Sequence, residues 1–165
     1  MPKLELSELE AIVFDFDGVL TDNNVYLDQN GNEMVCCSRA DGLAFDVLRQ
    51  THLKLFILST ETNSVVSRRG EKLKIPVFQG IKDKQTSLEE LSQHEGFSLA
   101  KTLFVGNDLN DYRAMLACGF SACPSDSHPL ILDVAAVQLN KSGGAGVIRE
   151  LVESTLGIDI LQYLG

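Results

Sequence analysis

The sequence AIVFDFDGVLTD, residues 11–22, holds the clearest structural pattern in the chain. Its first half is a short run of β-branched and aromatic residues, which predicts a buried strand. That strand ends at Asp15, and Asp17-Gly18 follows it as a turn pair. Parallel α/β sheets bind their ligands outside the carboxyl ends of their strands. Asp15 and Asp17 therefore stand where such a sheet would carry its site.

Short strand patterns alternate with helical patterns along the rest of the chain. This alternation predicts an α/β fold: a three-layer, Rossmann-like parallel sheet with helices on both faces. Residues 1–165 are expected to form a single domain, and Asp41 is expected to cap the first helix. The further strands are predicted at 53–59, 76–79, 102–105, 120–123 and 136–139, and the helices at 41–50, 63–74, 84–94, 111–118, 129–134 and 145–155.

A β-hairpin insertion is predicted between the first strand and the first helix. Residues 25–38 alternate around Asn30-Gly31, and an Asn-Gly pair between alternating segments is a strong hairpin signal. The sheet and its helices use nearly all of the chain, so no cap domain is expected over the site.

Composition excludes several classes of protein. The chain has 14 basic and 23 acidic side chains, giving a net charge of 14 − 23 = −9. Nucleic acids and anionic membranes attract basic surfaces, so neither is expected as a partner. Apolar runs break after about six residues, whereas a membrane span needs about 20, and the start lacks a basic, apolar leader. The four cysteines have no C-x-x-C spacing, so a reduced, cytoplasmic protein without a zinc site is predicted.

Polar residues of particular types follow other predicted strands. Ser59 ends the second strand, Lys84 follows the short third one, and Asn107 and Asp108 follow strand 102–105. Taken singly, each has an ordinary structural explanation as a turn former, a helix cap or a solvated charge. Their joint occurrence at successive strand ends instead favours a site for a divalent cation and a phosphate.

These residue types can perform phosphoryl transfer. A carboxylate such as Asp15 can attack phosphorus, and a second one such as Asp17 can protonate the leaving alcohol. Lys84 can neutralise charge on the phosphoryl group while the Ser59 hydroxyl and the Gly18 region bind its oxygens. Mg²⁺ prefers hard oxygen ligands, which Asp15 together with Asn107 or Asp108 could supply.

Four segments resemble the motifs of the haloacid dehalogenase superfamily of phosphohydrolases: FDFDGVLTD (14–22), ILST (57–60), Lys84 in IKDKQ, and VGNDLND (105–111). The chain is most similar to the small capless phosphatases of 3-deoxy-D-manno-octulosonate 8-phosphate and nonulosonate 9-phosphates. The resemblance implies a Mg²⁺-dependent phosphatase. Asp15 would be nucleophile and metal ligand, and Asp17 the general acid/base with its main-chain carbonyl on the metal. Ser59 and Lys84 would hold the phosphoryl group.

Two positions depart from that family pattern. The motif's metal-binding acid falls on Asn107, which contributes no charge, unless Asp108 serves instead. An arginine usually follows the motif-two hydroxyl, where this chain reads Ser59-Thr60-Glu61. Glu61 favours a nine-carbon sugar acid over an eight-carbon one. Substrate contacts are predicted at Gly18, Thr60, Glu61, Arg69 and Lys72, although Arg68, Arg69 and Lys72 also fit the solvated face of a helix.

The resemblance leaves alternatives open. One is a non-catalytic oligomerisation module like those fused to acylneuraminate cytidylyltransferases, and another is a broad-specificity sugar phosphatase. Relatives form homotetramers in which hairpins associate and a neighbour's C-terminal segment approaches the site. A homotetramer is therefore predicted here. The run Ser142-Gly143-Gly144, expected to be mobile, and the tail 158–164 could reach a neighbour, or the tail could pack on its own subunit.

Overall fold

The structure is a computed structural model that describes residues 4–164. Six strands form one parallel sheet in the order β5-β4-β1-β6-β7-β8, and β2 and β3 form a separate antiparallel pair. The strands in chain order are β1 (Ala11–Phe14), β2 (Tyr26–Leu27), β3 (Glu33–Met34), β4 (Lys54–Leu58), β5 (Val77–Phe78), β6 (Thr102–Val105), β7 (Phe120–Cys123) and β8 (Val137–Gln138).

Helices cover both faces of this sheet, which confirms the predicted three-layer α/β architecture. Along β1, Ile12 and Phe14 face one apolar cluster with α1, α2 and α6, and Ala11 and Val13 face another with α3, α4 and α5. The helices are α1 (Arg39–Leu48), α2 (Val65–Leu73), α3 (Lys84–Glu95), α4 (Tyr112–Ala117), α5 (Pro129–Val134) and α6 (Val147–Glu150), which continues as a π-helical turn (Leu151–Thr155). No helix within residues 4–164 has the length and apolar character that a bilayer crossing requires.

The strand order brings three strand ends together. From β1 the chain adds β4 and β5 on one side, then crosses over to add β6, β7 and β8 on the other. Phe14 at the end of β1 pairs with Ile57 of β4 and Val105 of β6. The segments after β4, β1 and β6 therefore lie side by side at the point where the strand order reverses, which is the ligand-binding position of this architecture.

The predicted hairpin is present as β2 and β3, which pair Tyr26 with Met34 and Leu27 with Glu33. The Asp28 carboxylate accepts hydrogen bonds from the amides of Asn30 and Asn32, which closes the turn. Within residues 4–164 the hairpin is the only segment inserted between β1 and α1, and no cap domain is seen there.

Asp41 does not cap α1, contrary to the prediction. The helix begins two residues earlier, and the Ser38 hydroxyl caps it by accepting a hydrogen bond from the Ala40 amide at 3.1 Å. Asp41 is instead buried, and its carboxylate accepts a hydrogen bond from the Arg149 amide at the start of α6, at 3.0 Å. The Gly146 that precedes α6 has no side chain to do this, so Asp41 caps the later helix across the fold.

Burial raises the pKa of Asp41 from 3.8 to about 6. Because the folded state then binds the proton more tightly than the unfolded chain, the contribution of Asp41 to stability falls as the pH rises from about 4 to about 6. Asp41→Asn removes this titration and keeps an acceptor for Arg149. We expect the stability of the Asn variant relative to wild type to increase by up to about 3 kcal/mol between pH 4 and pH 7.5. Urea unfolding at several pH values measures this difference, and a pH-independent difference would contradict it.

The glycine run 142–144 is packed rather than mobile, which corrects the prediction. The Gly144 amide donates to the Val19 carbonyl at 3.1 Å, and the Gly143 amide to the Asp126 carboxylate at 2.9 Å. A Cβ on either glycine would collide with backbone atoms of the segment 18–22. Ile158 and Ile160 of the tail are buried in the core of their own subunit, whereas Leu161 and Leu164 are exposed.

Candidate active site

Three adjacent strands and two helix starts supply the polar residues of the site. Asp15 and Asp17 follow β1, Ser59 follows β4, and Asn107 follows β6. Lys84 is the first residue of α3, and Asp111 directly precedes α4. The reversal of strand order at β1 is what makes these chain-distant residues neighbours.

Lys84 joins two carboxylates in a buried cluster. Its Nζ lies 2.6 Å from Asp15 Oδ1 and 2.6 Å from Asp111 Oδ1, and all three side chains are almost fully buried. Burial opposes the charged lysine, but the two carboxylates together hold the pKa of Lys84 above its ordinary value. Burial and then the charge of Asp111 raise the pKa of Asp15, against the pull of Lys84. When both carboxylates are ionised, they outnumber the one lysine and favour a bound cation.

Asp111 fixes the loop after β6. Its Oδ2 accepts hydrogen bonds from the amides of Asn107, at 2.9 Å, and Asp108, at 3.3 Å. It makes no capping bond to the first amides of α4. The sequence patterns did not place Asp111 among the predicted site residues. Its contact with Lys84, which also contacts Asp15, shows that Asp111 belongs to the cluster.

Asn107, rather than Asp108, points toward Asp15 and Asp17. One end of the Asn107 amide lies 2.8 Å from the Asp17 main-chain oxygen and 3.2 Å from Asp15 Oδ2. With its nitrogen there, the amide donates to both oxygens. With its oxygen there, the amide lies from each of these two oxygens at a spacing close to the roughly 3.0 Å between adjacent ligands of an octahedral Mg²⁺. The Asp108 carboxylate is exposed and accepts instead from the Leu109 amide at 2.7 Å.

The converging oxygens fit a hard divalent cation. They are one carboxylate, one amide and one main-chain carbonyl, a donor set that suits Mg²⁺. Within residues 4–164, no three His, Cys, Asp or Glu side chains gather to hold a metal by themselves. Gly18 makes the approach possible, because it has a φ of +78° and a Cβ there would collide with the Asn107 amide.

Asp17 has the environment of a general acid. Its side chain is partly exposed at the mouth of the site. Burial raises its pKa, and the charges of Glu61 and Glu33 raise it further against the pull of Lys84. A carboxyl that holds its proton more tightly is better suited to protonating a leaving oxygen.

Ser59, Thr60 and Glu61 follow β4 beside this mouth. Ser59 is buried, and its hydroxyl accepts a hydrogen bond from the Glu61 amide at 3.1 Å, which leaves its proton for another acceptor. Thr60 is exposed, and its hydroxyl accepts a hydrogen bond from the side-chain amide of Asn110 at 3.4 Å. Glu61 accepts hydrogen bonds from the amides of Thr62 and Asn63, which orders the loop that carries it.

The structure does not bring Arg69 and Lys72 together with this cluster. Arg69 donates a hydrogen bond to the Ser38 carbonyl at 2.9 Å. Both residues line a groove of about 340 Å³ between α1 and α2, which they share with Arg39 and Asp46. Each therefore lies beside α1 within this subunit rather than over Asp15.

A comparison with family models matches residues 50–151 to the haloacid dehalogenase-like hydrolases. A curated relative, the 3-deoxy-D-manno-octulosonate 8-phosphate phosphatase of Haemophilus influenzae, is 29% identical over 153 residues, which cover 92% of this chain and 85% of the relative.

Solved structures show the same similarity. A protein described as a haloacid dehalogenase family hydrolase from Streptomyces avermitilis is 37% identical, with a TM-score of 0.92 over 96% of this chain and 91% of the other. The 3-deoxy-D-manno-octulosonate 8-phosphate phosphatase of Moraxella catarrhalis, in complex with magnesium, phosphate and the sugar acid, is 29% identical. Its TM-score is 0.85, over 94% of this chain and 87% of the other.

Proposed function

This chain belongs to the haloacid dehalogenase-like hydrolases, and we propose that it is a Mg²⁺-dependent phosphatase of a 2-keto-3-deoxy sugar acid phosphate. The observation that carries the proposal is the buried cluster of Asp15, Lys84 and Asp111 beside the Asn107 amide. This cluster combines a nucleophile, a fixed positive charge and a set of metal-binding oxygens at the carboxyl ends of neighbouring strands.

The residues divide the reaction between them. Asp15 attacks phosphorus through a carboxylate oxygen, the bond to the leaving oxygen breaks, and an aspartyl-phosphate forms. Asp17 donates its proton to the leaving alcohol and then takes one from the water that hydrolyses the aspartyl-phosphate. Lys84 offsets charge on Asp15 and the phosphoryl group, while the Ser59 hydroxyl donates to a phosphoryl oxygen.

Mg²⁺ would be held by Asp15, by the Asp17 main-chain carbonyl and by the Asn107 amide oxygen. When bound, it supplies positive charge that stabilises the phosphoryl oxygens. The buried Asp111 carboxylate accepts hydrogen bonds from the main-chain amides of Asn107 and Asp108. It therefore holds the loop that carries the Asn107 ligand. This supports a site that is formed before the metal arrives.

The substrate class rests on the similarity to two phosphatases of 3-deoxy-D-manno-octulosonate 8-phosphate. Glu61, close enough to Asp17 to influence its pKa, supports a nonulosonate 9-phosphate as the alternative substrate, because a carboxylate accepts hydrogen bonds from sugar hydroxyls. The product would be the free sugar acid used in lipopolysaccharide or capsule biosynthesis.

Phosphate release from a panel of sugar phosphates in Mg²⁺ tests the proposal. We expect kcat/KM to be highest for the octulosonate 8-phosphate or a nonulosonate 9-phosphate. Equal rates on neutral hexose phosphates would support a broad-specificity phosphatase instead. No release from any compound, with Mg²⁺ present, would support a non-catalytic module.

The charge of the metal site gives a separate prediction. Asn107→Asp adds a negative ligand, so the Mg²⁺ concentration for half-maximal activity is expected to fall by about 10-fold. Asp108→Asn is the matched control, because the Asp108 carboxylate binds the Leu109 amide rather than the cluster. A Mg²⁺ titration of both variants measures the effect. A shift in the Asp108 variant alone would assign the ligand to Asp108.

We also propose that the protein is a cytoplasmic homotetramer. The hairpin exposes Val25, Tyr26, Leu27 and Met34 by half or more, and an isolated two-stranded hairpin is marginally stable unless it packs on something. All four cysteines are unpaired thiols, as is usual in a reducing compartment. A monomeric mass by light scattering at working concentration would contradict the assembly.

A further inference from the structure

The hairpin is joined to the body of the fold by a single hydrogen bond beside the mouth of the site. Glu33 on β3 accepts this bond from the Asn63 side chain, with 3.0 Å between Glu33 Oε2 and Asn63 Nδ2. Within residues 4–164, no other hydrogen bond links residues 25–35 to the main sheet, its helices or the segment 59–64. We call this contact the Glu33–Asn63 pair. A two-stranded hairpin needs such an attachment, because it is only marginally stable alone.

Asn63 also holds the loop that follows Ser59. Its side-chain oxygen accepts the Val65 amide at the start of α2 at 3.1 Å, and its main-chain amide donates to Glu61 Oε1 at 2.9 Å. The two ends of the side-chain amide are therefore both used, the oxygen on a donor and the nitrogen on a carboxylate. One residue thus contacts the hairpin, the start of α2 and the Glu61 carboxylate.

The loop that carries Glu61 is anchored to the sheet independently of the hairpin. The Gly80 amide donates to the Glu61 carbonyl at 2.9 Å, and the Gln79 side-chain amide donates to the Thr62 carbonyl at 3.0 Å. Both donors directly follow β5. The loop is therefore a fixed point, to which Asn63 attaches the hairpin.

Electrostatic repulsion opposes this attachment. Glu33 and Glu61 both raise the pKa of Asp17, so three carboxylates lie near one another at the mouth of the site. In the part of the chain that the structure describes, neither glutamate takes part in an ion pair. Asn63 donates to both glutamates, to one through its side chain and to the other through its main chain. A neutral residue therefore offsets the repulsion between them.

We propose that Asn63 is a positioning residue: through the Glu33–Asn63 pair it holds the hairpin against the Glu61 loop and so fixes an acidic rim that binds the sugar chain of the substrate. Carboxylates accept hydrogen bonds from sugar hydroxyls, so the separation of Glu33 and Glu61 determines which chains fit. Asn63 acts through these two glutamates and takes no part in the chemistry itself. This inference rests on the proposed function, because it requires a hydroxylated chain beyond the phosphate.

Asn63→Asp breaks the pair while leaving the start of α2 intact. Aspartate keeps an oxygen for the Val65 amide, but it presents a carboxylate to Glu33 where the amide donated. We expect KM for the octulosonate 8-phosphate to rise about 10-fold. The inhibition constant of inorganic phosphate, which occupies only the phosphoryl position, should stay within about 2-fold. Asn30→Asp, in the exposed turn of the same hairpin, adds the same charge away from the pair and is the matched control.

A reciprocal exchange tests the pair itself. In the double variant Asn63→Asp, Glu33→Gln, the glutamine amide can donate to the new carboxylate, so the hydrogen bond returns with its polarity reversed. KM should recover to within about 3-fold of wild type. A role limited to starting α2 would give no such recovery, because Glu33 is not part of that helix. Glu33→Gln alone keeps a neutral acceptor for Asn63 and should raise KM less than Asn63→Asp does.

Hydrogen exchange of the full-length protein gives a readout that needs no turnover. Residues 25–38 should exchange about 5-fold faster in Asn63→Asp than in wild type, and the double variant should restore their protection. Unchanged exchange, an equal loss of affinity for inorganic phosphate, or no recovery in the double variant would overturn the inference. Wild-type protein that hydrolyses no sugar-acid phosphate would instead refute the proposed function, and the exchange rates would then decide the pair on their own.

Discussion

Replacing Asp15 by Asn is expected to lower phosphate release by about 10⁴-fold or more, because an amide does not attack phosphorus. The substitution keeps the size of the side chain and an oxygen that can accept from the Phe16 amide, which now donates to Asp15 at 2.7 Å. Lys84 keeps Asp111 as its partner. The fold should therefore survive, with a free energy of unfolding within about 1 kcal/mol of wild type.

Initial rates with the best substrate and thermal unfolding of the same preparation measure both parts of this expectation. Asp46→Asn, an exposed aspartate on α1 that pairs with Arg49, is the matched control for an Asp-to-Asn change. Activity of the Asp15 variant above about 1% of wild type would remove Asp15 as the nucleophile, since no chemistry of that step would then depend on its carboxylate.

Replacing Lys84 by Met is expected to impair both catalysis and folding. Without the ammonium, the carboxylates of Asp15 and Asp111 are buried beside each other with no counter-charge. Removing one partner of a buried ion pair costs about 3–5 kcal/mol of stability at neutral pH. Turnover should fall by about 10³-fold, because the fixed charge beside the transferred phosphoryl group is lost.

The stability loss has a defined pH dependence. The pKa of Asp15 is already raised in the native protein, and it rises further without Lys84. The folded variant then binds protons more tightly than its unfolded chain, so its stability should increase as the pH falls from 7 toward 4. Urea unfolding of Lys84→Met at both pH values measures this, with Lys101→Met as an exposed control. A loss that is equal at pH 7 and pH 4 would contradict the buried charge cluster.

The sequence alone predicted much of this molecule because its patterns are local. Alternation of strand and helix signals is set by side-chain periodicity within a few residues, so the three-layer sheet and the hairpin at Asn30-Gly31 were both predicted correctly. Similarly, the strand-end positions of Asp15 and Ser59 follow from where an apolar run stops. The element boundaries moved by only a few residues.

The interactions that local patterns could not predict depend on segments far apart in the chain. Asp41 lies in the first turn of a helix and would ordinarily cap it, yet it binds the Arg149 amide, 108 residues later. The run 142–144 has the composition of a flexible linker. It is nevertheless fixed, because glycine allows the backbone to approach the segment after β1 within van der Waals contact.

The sequence by itself determined the chemical groups of the site and their order along the chain. Only the tertiary structure decided which of them meet. The reversal of strand order at β1 brings Lys84 between Asp15 and Asp111 and turns Asn107, not Asp108, toward the oxygens of Asp15 and Asp17. Arg69 and Lys72 instead line a separate groove beside α1. The physical reason is that a motif specifies residue types a few positions apart, whereas a charge cluster requires distances between strands, which only the packed sheet sets.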